Sequence, residues 1–364
     1  MKRILGTAAV MAAAATTAQA GGTERSTQSV AILFEQGRYA ELSLGHFSPD
    51  VSGSIAGGAV QSGDMSPSYN NWALGYKMDI GERMALAIII DEPIGADVAY
   101  PGTFPPGPYP LAGSTAELSS TAVTALLRYK FANNFSVHGG LRYQTVEGQV
   151  SLPVVGFPGP GYTLDTNKDG ALGYVVGIAW EKPEIAARVA LTYNSAITHT
   201  LQSVETGPIP TVGSFDTEVP QSVNLEFQTG VAKDTLLFGS IRWVDWSAFI
   251  IDPPGYPASL PTLVSYAKDR VTYNLGIGRR FSEQWSAAAT IGYEPSDGEI
   301  TGNLGPTDGA TSFGLAATYT MDSVKITAGV RYVDIGDAKT NLTPSAAFRN
   351  NDGIGVGIRI GYSF

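Results

Sequence analysis

The connections in this chain sort by length, and that restricts its fold more than any other feature. Read by alternation of apolar and polar side chains, residues 39–364 divide into fourteen extended segments, at 39–51, 70–80, 83–91, 118–131, 134–150, 171–181, 186–198, 219–231, 234–247, 270–281, 284–295, 312–321, 324–335 and 352–364. Six joins are tight: Gly81-Glu82, Ala132-Asn133, Lys182-Pro183-Glu184, Ala232-Lys233, Ser282-Glu283 and Asp322-Ser323. The seven that alternate with them are long, at 52–69, 92–117, 151–170, 199–218, 248–269, 296–311 and 336–351, and are rich in Gly, Pro, Ser, Thr and Asp. A compact soluble domain has no reason to place every long connection at one end, because structureless loops beyond about 12–15 residues are uncommon there. An up-and-down antiparallel sheet with two unlike ends does.

The last segment shows which surface the sheet presents. Ile354, Val356, Ile358, Ile360, Tyr362 and Phe364 point one way, and Gly353, Gly355, Gly357, Arg359, Gly361 and Ser363 the other. Successive strand side chains face opposite sides, so one surface is greasy and the other small or polar. That suits a strand with lipid on one side and a polar lumen on the other. Trp72, Leu74, Tyr76, Met78 and Ile80 repeat the pattern, as do Leu172, Tyr174, Val176, Ile178 and Trp180. Aromatics gather near the tight turns, including Tyr129, Phe131, Phe135, Phe281, Trp285 and Tyr319, as a girdle at headgroup depth. The reading is an all-β, 14-stranded antiparallel transmembrane β-barrel over 39–364, closed because an open edge in lipid would leave backbone donors and acceptors unpaired.

The start of the chain is different. Lys2 and Arg3 precede the apolar run Ile4–Ala15, and Ala18-Gln19-Ala20 supplies a small-x-small cleavage site, so 1–20 reads as a secretory signal peptide. Cleavage leaves 21 basic against 33 acidic side chains, a formal charge of −12 that makes nucleic acid a poor partner. With no Cys there is neither a disulfide framework nor a thiolate metal site. A fourteen-stranded cylinder is too wide for wall side chains to fill. The spare segment 21–38, with its apolar patch Val30-Ala31-Ile32-Leu33-Phe34, is therefore expected to lie inside as a short N-terminal plug, Phe34 against the ligand or in its pocket.

At this point the chain resembles a family. Fourteen strands with an N-terminal plug, the string Trp243-Val244-Asp245-Trp246-Ser247-Ala248-Phe249, the string Phe47-Ser48-Pro49-Asp50-Val51-Ser52-Gly53 and Arg280-Phe281-Ser282-Glu283-Gln284-Trp285 at a tight turn are similar to the FadL/OmpP1/TodX outer-membrane transporters of long-chain fatty acids and aromatic hydrocarbons. The resemblance implies a hatch inside the barrel, a hydrophobic groove between outer loops, an interior ligand pocket and a sideways exit through a kink in the third strand. The chain departs from the family in a shorter hatch, with Gln28-Ser29-Val30-Ala31 near the place of an Asn-Pro-Ala string, and in Glu147, which stands where some members carry a carboxylate-binding Arg.

Candidate site residues follow from both readings. Leu152, Val154, Val155 and Phe157 on one outer loop, with Phe249, Ile250, Ile251 and Tyr256 on another, are apolar strings that a purely solvated loop would not carry, and they are expected to line a collecting groove. Inward Arg142 and Arg242 either bind a ligand headgroup or belong to a polar lumen ladder with inward acids. Asp91, Glu92, Pro93 and Gly95 interrupt the third strand, where proline removes a ladder donor, so a lateral opening or simple strand termination both fit. Asp165-Thr166-Asn167-Lys168-Asp169-Gly170 imitates a calcium loop but lacks the distal bidentate Glu and reads as a turn. His46, His138 and His199 have no ligand spacing, and no Gly-x-Ser-x-Gly elbow is present.

These observations predict passive transport of hydrophobic molecules across a bacterial outer membrane, without enzyme activity, cofactor or metal. A general diffusion porin for small polar solutes is the alternative, and predicts a charged constriction without a plug. A barrel enzyme with a rim nucleophile beside His199 is a third class. Expected partners are the lipid bilayer, a hydrophobic small molecule and, through the terminal Phe364, the outer-membrane assembly machinery.

Overall fold

A computed structural model describes residues 23–102, 109–154 and 161–364; the 1–20 leader, Val155 and Phe157 lie outside them. Eighteen strand segments join one sheet. Four pairs of them continue each other across a bend, which leaves fourteen strands. They are β1 Tyr39–Asp50, β2 Tyr69–Ile80, β3 Met84–Asp91 with Gly95–Ala99, β4 Thr115–Lys130, β5 Phe135–Leu152, β6 Tyr162–Thr166 with Asp169–Lys182, and β7 Ala187–Asn194 with Ile197–Thr206. The rest are β8 Thr211–Val219 with Ser222–Ala232, β9 Thr235–Val244, β10 Arg270–Arg280, β11 Trp285–Glu294, β12 Ala310–Met321, β13 Val324–Ile335 and β14 Asn351–Ser363. Neighbours pair antiparallel in chain order, and β1 pairs both β2 and β14, so the sheet closes. Most strands hold ten or more residues, enough for a tilted crossing of about 9–11.

The tight turns work because their backbones bend where few side chains object. Gly81 has φ of 68°, and Asn134 and Asp234 take 68° and 56° in the left-handed region that short polar residues tolerate. Asp234 is held further by an ion pair with Arg280 at the end of neighbouring β10. Near this end the Trp285 ring lies 4.9 Å from Tyr319, and Tyr362 4.7 Å from Phe364, forming the aromatic girdle. The outward faces are apolar between the two rims, with Leu172, Tyr174, Val176 and Ile178 on β6 each at least 47% exposed to whatever surrounds the barrel.

The other end departs from the expectation of loops. Residues 199–218, read above as a long connection, continue β7 and β8 as a hairpin whose register runs from Ile197 opposite Val219 to Glu205 opposite Thr211. Its outward side chains are mainly polar, Thr198, Thr200 and Gln202 against Ser214 and Asp216, with the exposed pair Val204 and Val212 beyond them. The polarity of that face hid the strand from a search for apolar alternation. Three other connections meet in a five-stranded sheet of Ile300–Thr301, Ala338–Thr340, Ala347–Phe348, Ser52–Ile55 and Val60–Asp64, packed over a cluster that includes Phe47, Val98, Tyr100, Val333 and Phe348.

Inside, residues 23–38 run along the lumen wall. Val30, Ile32 and Leu33 are at most 5% exposed and pack on inward Tyr39, Ala87, Leu126 and Val175. Ala31–Phe34 forms one 3-10 turn, closed by the Leu33 amide donating to the Val30 carbonyl.

Candidate functional site

Strand β3 breaks between Asp91 and Gly95. Below the break its residues Met84–Ile90 pair with Ile80–Leu74 of β2. Above it Gly95–Ala99 ladder with β4 and Tyr69–Ala73 of β2 ladder with β1, with no β2–β3 ladder between them among the described residues; Ala99 instead donates its amide to the Met65 carbonyl at 2.9 Å. Pro93 has no amide to offer, so the ladder cannot continue through it. A gap in the wall results. Glu92 satisfies one stranded donor, its carboxylate accepting the Trp72 amide at 3.2 Å. Strand termination, the competing reading of this stretch, is excluded because β3 resumes at Gly95.

The N-terminal segment covers the gap from within. Glu24 makes an antiparallel bridge with Ile94, the Gly95 amide donates to the Thr23 carbonyl at 2.8 Å, and the Arg25 amide donates to the Pro93 carbonyl at 2.9 Å. Side chains tie the same place: Ser26 Oγ donates to Asp91 at 2.5 Å, and Arg25 bonds Asp97 at 2.7 Å while its guanidinium lies 3.3 Å from the centre of the Tyr69 ring. The fit at Gly95 is close, since a Cβ there would stand 3.2 Å from both Arg25 Cγ and the Leu118 carbonyl oxygen. Asp91, Pro93 and Gly95 thus meet the hatch, while Glu92 bonds β2.

Further anchors reach across the lumen. Ser29 Oγ donates to Glu226 at 2.6 Å, Asn224 donates to the Thr27 carbonyl at 2.9 Å, and Arg242 holds Glu24 through Nε at 2.6 Å and Nη2 at 2.5 Å. Arg242 Nη1 is meanwhile fixed by Ser222 Oγ at 3.0 Å and Asn224 Oδ1 at 2.6 Å. Both Arg242 and Glu24 are about 5% exposed. Arg242 is therefore engaged by the hatch, a partner sequence reasoning did not consider. Arg142 donates from Nε to Thr124 Oγ1 at 2.9 Å and is likewise buried, among Asp91 and Arg242. The polar-ladder reading holds for Arg128, which pairs with Glu181, and for Lys77, which bonds Asp79 at 2.6 Å.

Between the hatch and the far wall lies a cavity of about 260 Å³. Ile32, Ile89, Phe238 and Leu275 are among its walls, with Arg188 and Glu226 as charged walls. Phe34 is not there, contrary to expectation. Its ring is sandwiched by Arg128 and Arg188, with guanidinium carbons 4.3 and 4.4 Å from its centre, and meets His138 edge-on. Cation–π attraction to two guanidinium groups holds the ring there.

The outer apolar strings correct another expectation. Their described residues pack mainly on each other and on neighbouring strands rather than along an open groove. Leu152 joins Tyr162, Leu164 and Leu263, with Tyr256 edge-on to Tyr162 at 5.1 Å. Phe249, 1% exposed, sits in a second cluster with Ile94, Val146, Val219, Val244 and Trp246, and Ile251 touches both. Val154 is half-buried, and Ile250 alone of the described strings stays exposed, at 44%. Loops from several strand pairs converge over one lumen, so their apolar side chains find one another before they find solvent. Glu147 pairs with Lys168 at 2.8 Å at the outer rim. Asp169 and Asn167 are spent on His199 and the Gln202 amide, at 3.0 and 2.8 Å.

Sequence reasoning missed Glu24, Arg25, Ser26, Ser222 and Asn224. A signal existed: Thr23-Glu24-Arg25-Ser26-Thr27 is a dense polar string just ahead of the apolar patch, the composition of a segment meant to dock on a polar lumen.

A closed fourteen-stranded barrel carrying a lumenal N-terminal segment that docks on a break in its wall defines a class of membrane transport protein. Residues 39–352 match the outer membrane transport proteins described as OMPP1/FadL/TodX, and the chain belongs to that family. Solved structures repeat the fold: a Pseudomonas aeruginosa FadL homologue at 15% identity over 92% of each chain with TM-score 0.74, the Pseudomonas putida toluene transporter TodX at 12% over 92% of each chain with TM-score 0.65, and the Ralstonia pickettii toluene transporter TbuX at 14% over 100% of each chain with TM-score 0.63. A comparison with curated protein sequences finds no match.

Proposed function

We propose that this protein carries hydrophobic molecules, long-chain fatty acids or aromatic hydrocarbons, across the outer membrane, taking them up at the outer loops, passing them by the hatch and releasing them sideways between β2 and β3. The observation that carries this reading is the wall gap covered by residues 23–26. A pore for small polar solutes needs an open channel down its axis and no sideways route. Here the apolar cluster of Val30, Ile32 and Leu33 packs inside the barrel on Tyr39, Ala87, Leu126 and Val175, and the break in β3 supplies a sideways route. Two of the similar structures are toluene transporters, which supports the aromatic end of the substrate range. Transfer is driven by partitioning, about 0.8 kcal/mol per buried methylene. Export through a cleaved 1–20 leader and insertion in the outer membrane belong to the same proposal.

The test is to close the gap. Replacing Glu92 and Pro93 together by Val restores an amide and lets β3 continue beside β2. Uptake of radiolabelled toluene and dodecanoate into cells should fall to the level of a strain lacking the protein, at equal surface amounts. Unchanged uptake would sink the sideways route.

A further inference from the structure

A second stretch of wall is unlaced. Strands β6 and β7 pair from Lys182 opposite Ala187 to Val175 opposite Asn194, and again from Thr166 opposite Ser203 to Thr163 opposite Thr206. Both ladders keep one register, with the same number of residues between them on each strand, yet among the described residues none of 168–173 pairs with 196–201. The cause is a mismatch of faces, since directly opposite residues of an antiparallel pair share one face of the sheet. On β7 the buried, lumenal side chains are even-numbered from Ala190 to Asn194 and odd-numbered from Ile197 onward. β8 changes face beside it, between Val219 and Ser222, so those two strands stay paired. On β6 the change comes farther out, at Asn167-Lys168. Between the two changes, outward Leu172 stands level with lumenal Ile197 and outward Gly170 with lumenal His199, so the ladder cannot form.

Side chains hold the edges of this window. Below it the Ser195 amide donates to the Tyr174 carbonyl at 2.9 Å and the Tyr174 amide donates to Ser195 Oγ at 2.9 Å. Above it the Asn167 amide donates to the Gln202 carbonyl at 3.0 Å, the Gln202 amide donates to Asn167 Oδ1 at 2.8 Å, and His199 Nδ1 lies 3.0 Å from Asp169 Oδ2. Between these edges the lining is apolar. Leu172, on the outer face, is 67% exposed, more than Tyr174, Val176 or Ile178 of the same row. Behind it Ala171 packs against the buried cluster of Leu118, Val146 and Trp246, to which Ile197 belongs. Ile197 closes the window from within, its Cγ1 standing 2.6 Å from where a Cβ on Gly173 would be. The same cluster contains Ile94, which sits in the break of β3 and bridges Glu24. Apolar surface therefore continues from the outward side of β6 to the gap beside β2.

We propose that this window is a second, membrane-side entrance: neutral hydrocarbons already dissolved in the outer leaflet slip past Ile197 into the cluster beneath the outer loops, and from there to the gap between β2 and β3. It rests on the transport reading above and adds a route that bypasses capture from water. Tyr143, Tyr174 and Tyr193 stand on the outward face around its lower edge, the aromatic mark of a membrane interface, and the Tyr193 hydroxyl donates to Gln221 at 2.8 Å. A hydrocarbon in the leaflet has to expose its whole apolar surface to water to reach the outer loops, whereas passage from lipid into an apolar cluster exposes none. A charged amphiphile gains nothing here, because its headgroup would have to follow the chain through an apolar lining.

The test places the parent protein in liposomes with a photoactivatable diazirine alkane dissolved in the bilayer, and maps labelled residues by mass spectrometry at increasing times before the flash. Leu172 outside should label first, Ala171 and Ile197 next, and Ile251 and Tyr266 beneath the loops last. Removing exposed Lys168 and inserting one glycine between Tyr174 and Val175 brings the face change on β6 level with that on β7. Gly173 then stands opposite Ile197 and Ala171 opposite His199, all lumenal, and the wall laces. Labelling of Ala171 should be lost in that chain while Leu172 labels as before. Ile197→Ala, which leaves both strands as they are, should speed labelling of Ala171 several-fold. Labelling that reaches Ile251 before Ala171, Ala171 labelling at the parent's level in the laced chain, or an unchanged rate in Ile197→Ala defeats this proposal alone; no lumenal labelling in any of the three chains defeats the transport reading with it.

Discussion

Gly75 lets the hatch lie close against the wall. A Cβ built there would stand 2.4 Å from Ile32 Cδ1 and 3.1 Å from Glu41 Cγ, so the absent side chain is what lets Ile32 lie against β2. Gly75→Val should push the hatch inward at a cost of about 1–3 kcal/mol, the usual range for overpacking. Planar-bilayer recordings should show larger and more frequent conductance steps than the parent; identical traces would mean that Ile32 contributes nothing to the seal. At the rim, Asp308 carries a different load. Burial pushes its carboxyl up, but Ser296, the amides of Asp297 and Gly298, and Arg270 together hold it below the ordinary value of 3.8. A depressed carboxyl contributes stability that is present above that ordinary value and lost as pH falls through the lower folded one. Asp308→Asn should therefore destabilise the outer rim at pH 7, by about 1–3 kcal/mol, and the difference from the parent should vanish well below pH 3.8. Limited proteolysis of 295–309 as a function of pH reads this directly.

Among the elements, the hatch departs most from ordinary secondary structure. It has one 3-10 turn and otherwise lives on contacts with the wall, at Asp91, Pro93, Asn224, Glu226 and Arg242. Its apolar half was legible, because Val30, Ile32 and Leu33 are too greasy for a free tail, and they are buried as expected. Its polar half was not, since which wall residue accepts Ser26 or Glu24 depends on strands up to 218 residues away. Deleting Thr23–Gln36 removes both the seal and the cover of the gap. Single-channel conductance should rise several-fold and saturable uptake of hydrophobic substrate should fall. Unchanged conductance would assign closure to the packed outer loops instead. The same distance argument explains the outer strings: Leu152, Phe249 and Tyr256 were recognisable as apolar and misplaced, because their partners come from other loops.

The whole molecule depends on closure, and its seam lies at the C-terminal strand, where β14 pairs with β1 from Ser363 opposite Tyr39 to Asp352 opposite Asp50. Phe364 ends that seam, its amide donating to the Arg38 carbonyl at 3.0 Å and its ring meeting Tyr76 and Tyr362 on the outer surface. Removing Phe364 should lower the amount of assembled barrel in the outer membrane several-fold. What does assemble should keep the parent's shift between unboiled and boiled gel migration; full surface levels would dissociate the terminal aromatic from assembly. Alternation by twos, tight turns against long connections and an aromatic terminus already determined strand number, lipid-facing side, polarity of the two ends and membership of a membrane-barrel class, because these follow from the period of a strand and from the chain's own neighbours. The tertiary structure decided the rest: that β3 resumes beyond its break, that 197–219 is a hairpin extending β7 and β8, and that Arg242 is held by Glu24. Each of these depends on residues brought together only when the sheet closes on itself, and no local pattern encodes which side chain will stand opposite another across a lumen.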